Sequence, residues 1–138
     1  MKIHVYQSKK PDTTSLLRDD NGKPLPINDQ HFNFSHSGGY WAIAISDKPV
    51  GIDLQSKTKQ GKPRHLSSRV LQKILKPGEK PVKDNYLHNF VIKEAYSKLT
   101  GKGLSIGFSK LDASELVKKY QPYHQETKDY ILYAFEEK

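Results

Sequence analysis

The sequence predicts an α+β fold in which a small antiparallel sheet packs with two main helices. Three observations carry this. Tyr40–Ser46 and Val50–Leu54 are β-rich runs separated by a short turn around Asp47-Lys48, which reads as a hairpin. Val70, Leu71, Ile74 and Leu75 recur at helical spacing within Leu66–Leu75, and Pro77-Gly78 ends that helix. A second helix runs through Phe90 to Leu99, with Asp84 or Asn85 as its cap and Gly101 and Gly103 as its stop.

The remaining elements follow in chain order. Met1-Lys-Ile-His-Val-Tyr6 alternates as a strand does, without the long apolar core of a signal peptide. Residues 7–30 are polar and rich in turn formers (Pro11, Gly22, Pro24, Pro26) and read as a long irregular connection. His31–Ser35 alternates again, and Gly38-Gly39 suits the tight turn into the run at Tyr40. Residues 57–65 form a Lys/Gly/Pro loop. Beyond Gly103 come a short strand at Leu104–Phe108, a turn or helical piece near Asp112–Val117 and a closing strand at Tyr130–Phe135.

At 138 residues the chain is one domain with a modest core. It has no cysteine, which removes disulfides and thiolate chemistry and is compatible with a reducing compartment. The longest apolar run, Tyr40–Ile45, is far short of the ~20 residues of a membrane helix. A soluble, cytoplasmic protein without a membrane partner is expected.

The formal charge of +8 calls for an anionic partner. Basic residues concentrate at Lys57, Lys59, Lys62, Arg64, Arg69, Lys73, Lys76, Lys80 and Lys83, against Glu79 alone. No aromatic residue interrupts the stripe to stack on bases, so no nucleic-acid partner is expected. A basic face that merely meets water is the plain alternative.

The richest stretch for chemistry is Phe90-Val-Ile-Lys-Glu-Ala-Tyr-Ser-Lys-Leu-Thr-Gly-Lys-Gly-Leu104. Glu94 and Lys98 are four apart and share a helix face, which Lys93 flanks. Carboxylate and lysines so placed suit a metal and a pyrophosphate; they equally suit an ordinary exposed Glu–Lys pair. Asp53 and Gln55 alternate on a strand and point to one side.

Taken in order, Asn21-Gly-Lys-Pro24, Phe32-Asn-Phe-Ser-His-Ser37, Val50-Gly-Ile-Asp-Leu-Gln55 and the Phe90–Leu104 segment resemble the phosphopantetheinyl transferases, specifically the type that activates peptide and polyketide synthases. The resemblance implies a phosphopantetheinyl transferase-like fold, here mostly one half of the usual pseudo-dimer. Residues 1–48 would be a remnant of the first half carrying the nucleotide-binding motifs, and residues 49–138 the metal-binding half. It also implies a reaction: 4′-phosphopantetheine moves from coenzyme A to a serine of an acidic acyl or peptidyl carrier protein, with Mg²⁺ as cofactor and adenosine 3′,5′-bisphosphate released.

By the same resemblance Asp53, Gln55 and Glu94 are the metal positions, and Asp53, Glu94 and Lys98 the catalytic ones. Lys23, Pro24, Ser35, His36, Ser37, Lys93 and Lys98 would contact coenzyme A. His36 is matched to the 3′-phosphate, and Lys93 and Lys98 to the pyrophosphate. Many relatives carry glutamate where Gln55 stands. Its amide oxygen either coordinates the metal without adding charge or turns to solvent while water takes its place. Glu94 takes the serine proton directly or through a metal-bound water. Phe90, Tyr96 and Leu99 read as packing. The short first half leaves the strands around Tyr40–Leu54 short of cover, so a homo-oligomer with a shared cleft is expected; residues 1–30 folding back over that face is the competing arrangement. A catalytically degenerate relative that binds coenzyme A or a carrier is the alternative function.

Overall fold

The computed structural model describes residues 1–8, 11–101 and 107–138. Strand β1 (Lys2–Gln7) is followed after the polar connection by β2 (His31–Ser37), two residues longer than its alternation suggests. Gly38 and Gly39, at φ +56° and +85°, turn the chain directly into β3 (Tyr40–Ser46). Positive φ at both central residues is what a two-residue hairpin of right-handed twist demands. β3 lies between β1 and β2, antiparallel to both.

The expected hairpin between Tyr40–Ser46 and Val50–Leu54 does not form. β4 (Val50–Ser56) leaves the first sheet and pairs with β8 (Tyr130–Glu136), itself paired with β7 (Tyr123–Glu126). The reason lies in the side chains. Val50, Ile52 and Leu54 are fully buried; they pack across the sheets against Ala42 and Ala44 of β3 and lie beside Tyr130, Leu132 and Ala134 of β8 in their own sheet. The small alanines let the two sheets stack, and stacking removes more apolar surface from water than extending one sheet would.

The second sheet carries helices on its other face. Helix α1 (Ser68–Ile74) begins at Ser67, whose hydroxyl accepts from Val70 N, and α2 (Leu87–Thr100) follows after a loop. The Asn85 side chain accepts from Leu87 N, and α2 stops at Gly101 in the left-handed region, φ +71°. The strand expected over Leu104–Phe108 lies largely outside the described residues; its last residue begins a single 3-10 turn, Phe108–Lys110. Helix α3 (Ala113–Tyr120) is capped by Asp112, which accepts from Ser114 N and Glu115 N. Val91, Ile92, Ala95 and Leu99 of α2 form a second core with Ala113, Leu116, Ile131 and Phe135. The loop at 57–65 contains a two-residue ribbon, β5 (Thr58–Lys59) with β6 (Lys62–Pro63).

Part of the connection 11–30 does fold back. Pro11, Thr13, Leu16 and Ile27 line an apolar cavity over Phe32, Phe34, Trp41, Ile43 and Ile45 on the outer face of the first sheet. Among the described residues no helix is long and apolar enough to cross a membrane.

Candidate active site

The site is built on a close approach of helix to strand. Gly51 of β4 sits against α2 so tightly that a Cβ there would lie 2.2 Å from Leu99 N and 2.3 Å from the Ala95 carbonyl oxygen. This absent side chain lets α2 lie directly over β4. The α2 residues Phe90, Glu94 and Lys98, four apart, then run along the seam. On the strand, Gly51, Asp53 and Gln55 face the same way, because Val50, Ile52 and Leu54 are spent on the inter-sheet core.

Strand β2 supplies the other wall. Its inward side chains run alongside β4 in constant register: Asn33 Oδ1 accepts from Ile52 N (3.0 Å), Ser35 Oγ from Leu54 N (3.0 Å) and Ser37 Oγ from Ser56 N (2.9 Å). These three polar side chains satisfy amides that an adjoining strand would otherwise take. Ser35 does a second thing: its hydroxyl donates to Asp53 Oδ1 at 3.1 Å.

Asp53 is thus almost wholly buried, at 3 % exposure, with Gln55 Nε2 donating to its other oxygen at 3.0 Å and Lys98 Nζ 3.7 Å away. Lys98 also donates to the Phe34 carbonyl oxygen. Burial pushes the Asp53 carboxyl above its usual range, against the pull of Lys98, Gln55, Ser35 and Arg64. Glu94 is pushed the same way, by burial first and then by the charge of Asp53, with Lys98 opposing. Two carboxylates that are both hard to ionise, facing each other across a seam, are stabilised by a cation between them. Their hard oxygens fit Mg²⁺, which takes one or two carboxylates and completes its shell with water and substrate phosphate. Among the described residues no group of three or more acidic, histidine or cysteine side chains gathers.

Gln55 stands beside them, but its amide oxygen is taken. Arg64 Nη1, half-buried after the β5–β6 ribbon, donates to it at 2.5 Å, and the guanidinium carbon lies 5.8 Å from the Phe90 ring centroid. Phe90 is therefore a platform for Arg64 as well as packing.

The structure does not bring every sequence-predicted residue to this seam. Lys93 is fully buried on the far side of α2, where its ammonium donates to Glu79 Oε1 (2.5 Å) and to the carbonyl oxygens of Ile74 (2.6 Å) and Phe108 (3.1 Å). The helical period accounts for this: residues one apart are turned by about 100°, so Lys93 and Glu94 face different surroundings. Lys93 is a core residue here and leaves the pyrophosphate-facing set. Glu79, the single acid of the basic stripe, is its buried partner and also accepts from Lys76 N, Asn89 Nδ2 and Ala113 N.

Lys23 reaches the site's end, yet its ammonium donates to two main-chain oxygens, Val50 O (2.7 Å) and Lys98 O (2.5 Å). Burial, with Asp19 opposing and Lys98 assisting, lowers its pKa to about 8. It pins the Gly22-Lys23-Pro24 turn to the end of α2 and lines, with Pro24, Arg18, Asn33, Phe34 and Lys98, a cavity of about 230 Å³. Arg18, which no sequence signal marks, lies 5.6 Å over the Phe34 ring and donates to Gly22 O. His36 is exposed and shares the outer face of β2 with Phe32 and Phe34, away from Asp53. Ser37 borders another cavity, with Gly38, Gln55, Thr58 and Arg64.

An acidic pair poised for a cation, with lysine beside it on a strand–helix seam, describes a class of phosphoryl-group-handling sites. Residues 49–136 match the family model of the 4′-phosphopantetheinyl transferase superfamily, and the chain belongs to that superfamily. It is similar to the 4′-phosphopantetheinyl transferase psf-1 of Bacillus pumilus, 38% identical over 120 residues that cover 80% of this chain and 50% of that protein. The 4′-phosphopantetheinyl transferase Sfp of Bacillus subtilis is 35% identical over 107 residues, 73% of this chain and 47% of Sfp. A putative 4′-phosphopantetheinyl transferase of Synechocystis is 34% identical over 113 residues, 72% of this chain and 45% of its own. The chain spans about half the length of these curated relatives.

Proposed function

We propose that this chain carries the metal-binding side of a phosphopantetheinyl transferase, which moves 4′-phosphopantetheine from coenzyme A to a carrier-protein serine. The observation that carries the reading is the Asp53–Glu94 pair, both carboxyls raised above their usual range, with Lys98 at 3.7 Å from Asp53. In the reaction the serine oxygen bonds to the phosphorus that bears the pantetheine, and that phosphorus parts from the bridging oxygen. Adenosine 3′,5′-bisphosphate leaves with the electron pair. A bound Mg²⁺ would neutralise charge on the pyrophosphate oxygens. Asp53 and Glu94 would hold it. Lys98 meets the same developing negative charge from the helix side. Glu94 accepts the proton of the serine hydroxyl. The Lys23–Pro24 end of the seam is assigned to the nucleotide. The basic stripe faces an acidic carrier.

Incubation with coenzyme A, Mg²⁺ and an apo carrier protein, followed by mass spectrometry of the carrier, tests this. The carrier is expected to gain one phosphopantetheinyl group, and Asp53→Ala and Glu94→Ala to abolish the gain while remaining folded. Undiminished transfer by either variant would sink the assignment. One observation favours a second reading, a relative that binds coenzyme A without turnover: the amide oxygen of Gln55 is already held by Arg64. That protein would bind coenzyme A and leave the carrier mass unchanged. The outer face around Trp41, Ile43 and Ile45 is assigned to contact between copies in a cytoplasmic homo-oligomer. Light scattering of Ile43→Glu against the parent chain checks it, and a monomeric parent overturns it.

A further inference from the structure

Arg64 is a strongly basic group at the seam whose side-chain hydrogen-bond partner, the Gln55 amide, carries no charge. Among the described residues no carboxylate lies within ion-pair distance of it. Its guanidinium is oriented by two contacts, the Gln55 amide oxygen and the Phe90 face, and it lines a cavity with Ser37 and Thr58. Gln55 in turn donates to Asp53, so the chain Arg64–Gln55–Asp53 has one sense, donor to acceptor throughout. Turning the amide over would set its NH₂ against the guanidinium, which fixes the assignment.

The order of groups along the seam then matters. Lys23 and Pro24 mark one end; Lys98, Asp53 and Glu94 the middle; Gln55 and Arg64 the other end. A pyrophosphate ester laid with its nucleotide at the Lys23 end, as the proposed function has it, presents its far phosphoryl group toward Arg64. We propose that Arg64 is a substrate-binding residue for that phosphoryl group, the one that is transferred, and that Gln55 holds the guanidinium ready for it. This rests on the proposed function. The logic is competition between acceptors. A neutral amide oxygen binds a guanidinium more weakly than an anionic oxygen does, so phosphate displaces Gln55 from Arg64. A carboxylate at position 55 would reverse the preference by pairing with Arg64 in the empty site.

The test is calorimetric titration of the full chain in EDTA with two ligands: coenzyme A, and adenosine 3′,5′-bisphosphate, which lacks the far phosphoryl group. Arg64→Met keeps an apolar stem over Phe90 and removes the charge. It is expected to weaken coenzyme A by about tenfold to a hundredfold while adenosine 3′,5′-bisphosphate changes by less than about twofold. Gln55→Glu, with Arg64 still present, is expected to weaken coenzyme A selectively in the same sense, and Arg64→Lys to fall between Met and the parent. Unchanged coenzyme A affinity in Arg64→Met overturns the inference, and so does equal loss of both ligands in the two Arg64 variants, which would make the residue structural. A parent chain that binds neither ligand in EDTA also overturns the inference; the proposed function falls separately, if a carrier incubated with coenzyme A, Mg²⁺ and the parent chain does not change mass.

Discussion

Gly51→Ala places one methyl group in the joint on which the site depends. That carbon would sit 2.2 Å from Leu99 N, 2.3 Å from Ala95 O and 2.8 Å from Leu99 Cα, all backbone atoms of α2 that no rotamer change can move. Carbon contacts are comfortable at about 3.5–4.0 Å, so the helix must retreat by roughly 1 Å. Behind β4 there is no slack either, since Val50 and Ile52 are fully buried. Overpacking typically costs ~1–3 kcal/mol, and a clash with helix backbone belongs at the upper end. For 138 residues the unfolding entropy is about 0.3 kcal/mol/K, so a loss of ~3 kcal/mol lowers Tm by about 10 °C. The retreat also carries Glu94 and Lys98 away from Asp53, and a misplacement of ~1 Å costs about a hundredfold in rate. Differential scanning calorimetry and the carrier-loading assay read the two effects. Gly39→Ala is the control: its φ is +85° and nothing lies within 4 Å of the added carbon. It should cost only the ~1–2 kcal/mol of a left-handed residue and leave transfer intact. A Gly51→Ala protein melting within about 2 °C of the parent, with full transfer, would refute the argument.

Two further outcomes are expected. Lys93→Met leaves the buried Glu79 carboxylate without its cation and should cost about 3–5 kcal/mol in urea unfolding; adding Glu79→Gln should recover much of it, and an unaffected single variant would show the pair to be dispensable. Asp53 and Glu94 bind their protons more tightly folded than unfolded, so their contribution to the stability of the metal-free chain is fully present below the unfolded carboxylate pKa and lost as pH rises through the raised folded values. Mg²⁺ should therefore raise Tm at pH 7 and do so less as the pH falls through that range; a Tm increment independent of pH would place the ion elsewhere.

The middle of the chain was the most legible part. Helix α2 announces itself by period and by Gly101, and the Gly51–Asp53 strand by its motif, so the pairing of Asp53 with Glu94 and Lys98 could be expected from sequence. The β3–β4 hairpin could not be judged locally. Two β-rich runs, Tyr40–Ser46 and Val50–Leu54, either side of a short turn fit a hairpin and a sheet-to-sheet crossing equally, and only the buried partners Leu132 and Ala134, some eighty residues on, decide it. β7 has no local signal, because Tyr-His-Gln-Glu lacks apolar alternation; it is an edge strand held by its neighbour. The motif resemblance sets Lys93 toward the pyrophosphate, whereas the helical period turns it about 100° from Glu94 and into the core beside Glu79. Arg64 stood in the basic stripe without distinction, since its contact with Gln55 spans a ribbon whose return path local sequence does not specify.

The side-chain seam between β2 and β4 gives the molecule a joint that can be watched. Along β4 the amides of Ile52, Leu54 and Ser56 are bonded only to hydroxyl or amide side chains of the first sheet, while their alternates turn toward β8. Parting the two sheets would release the first set to solvent exchange and leave the second protected, with no strand unpaired. Odd and even residues of a single strand therefore time two different events, opening of the joint and unfolding of the domain. Because Ser35 belongs to that joint and also holds Asp53, a ligand that tightens the site should slow exchange at Leu54 before it alters any amide of the helical core.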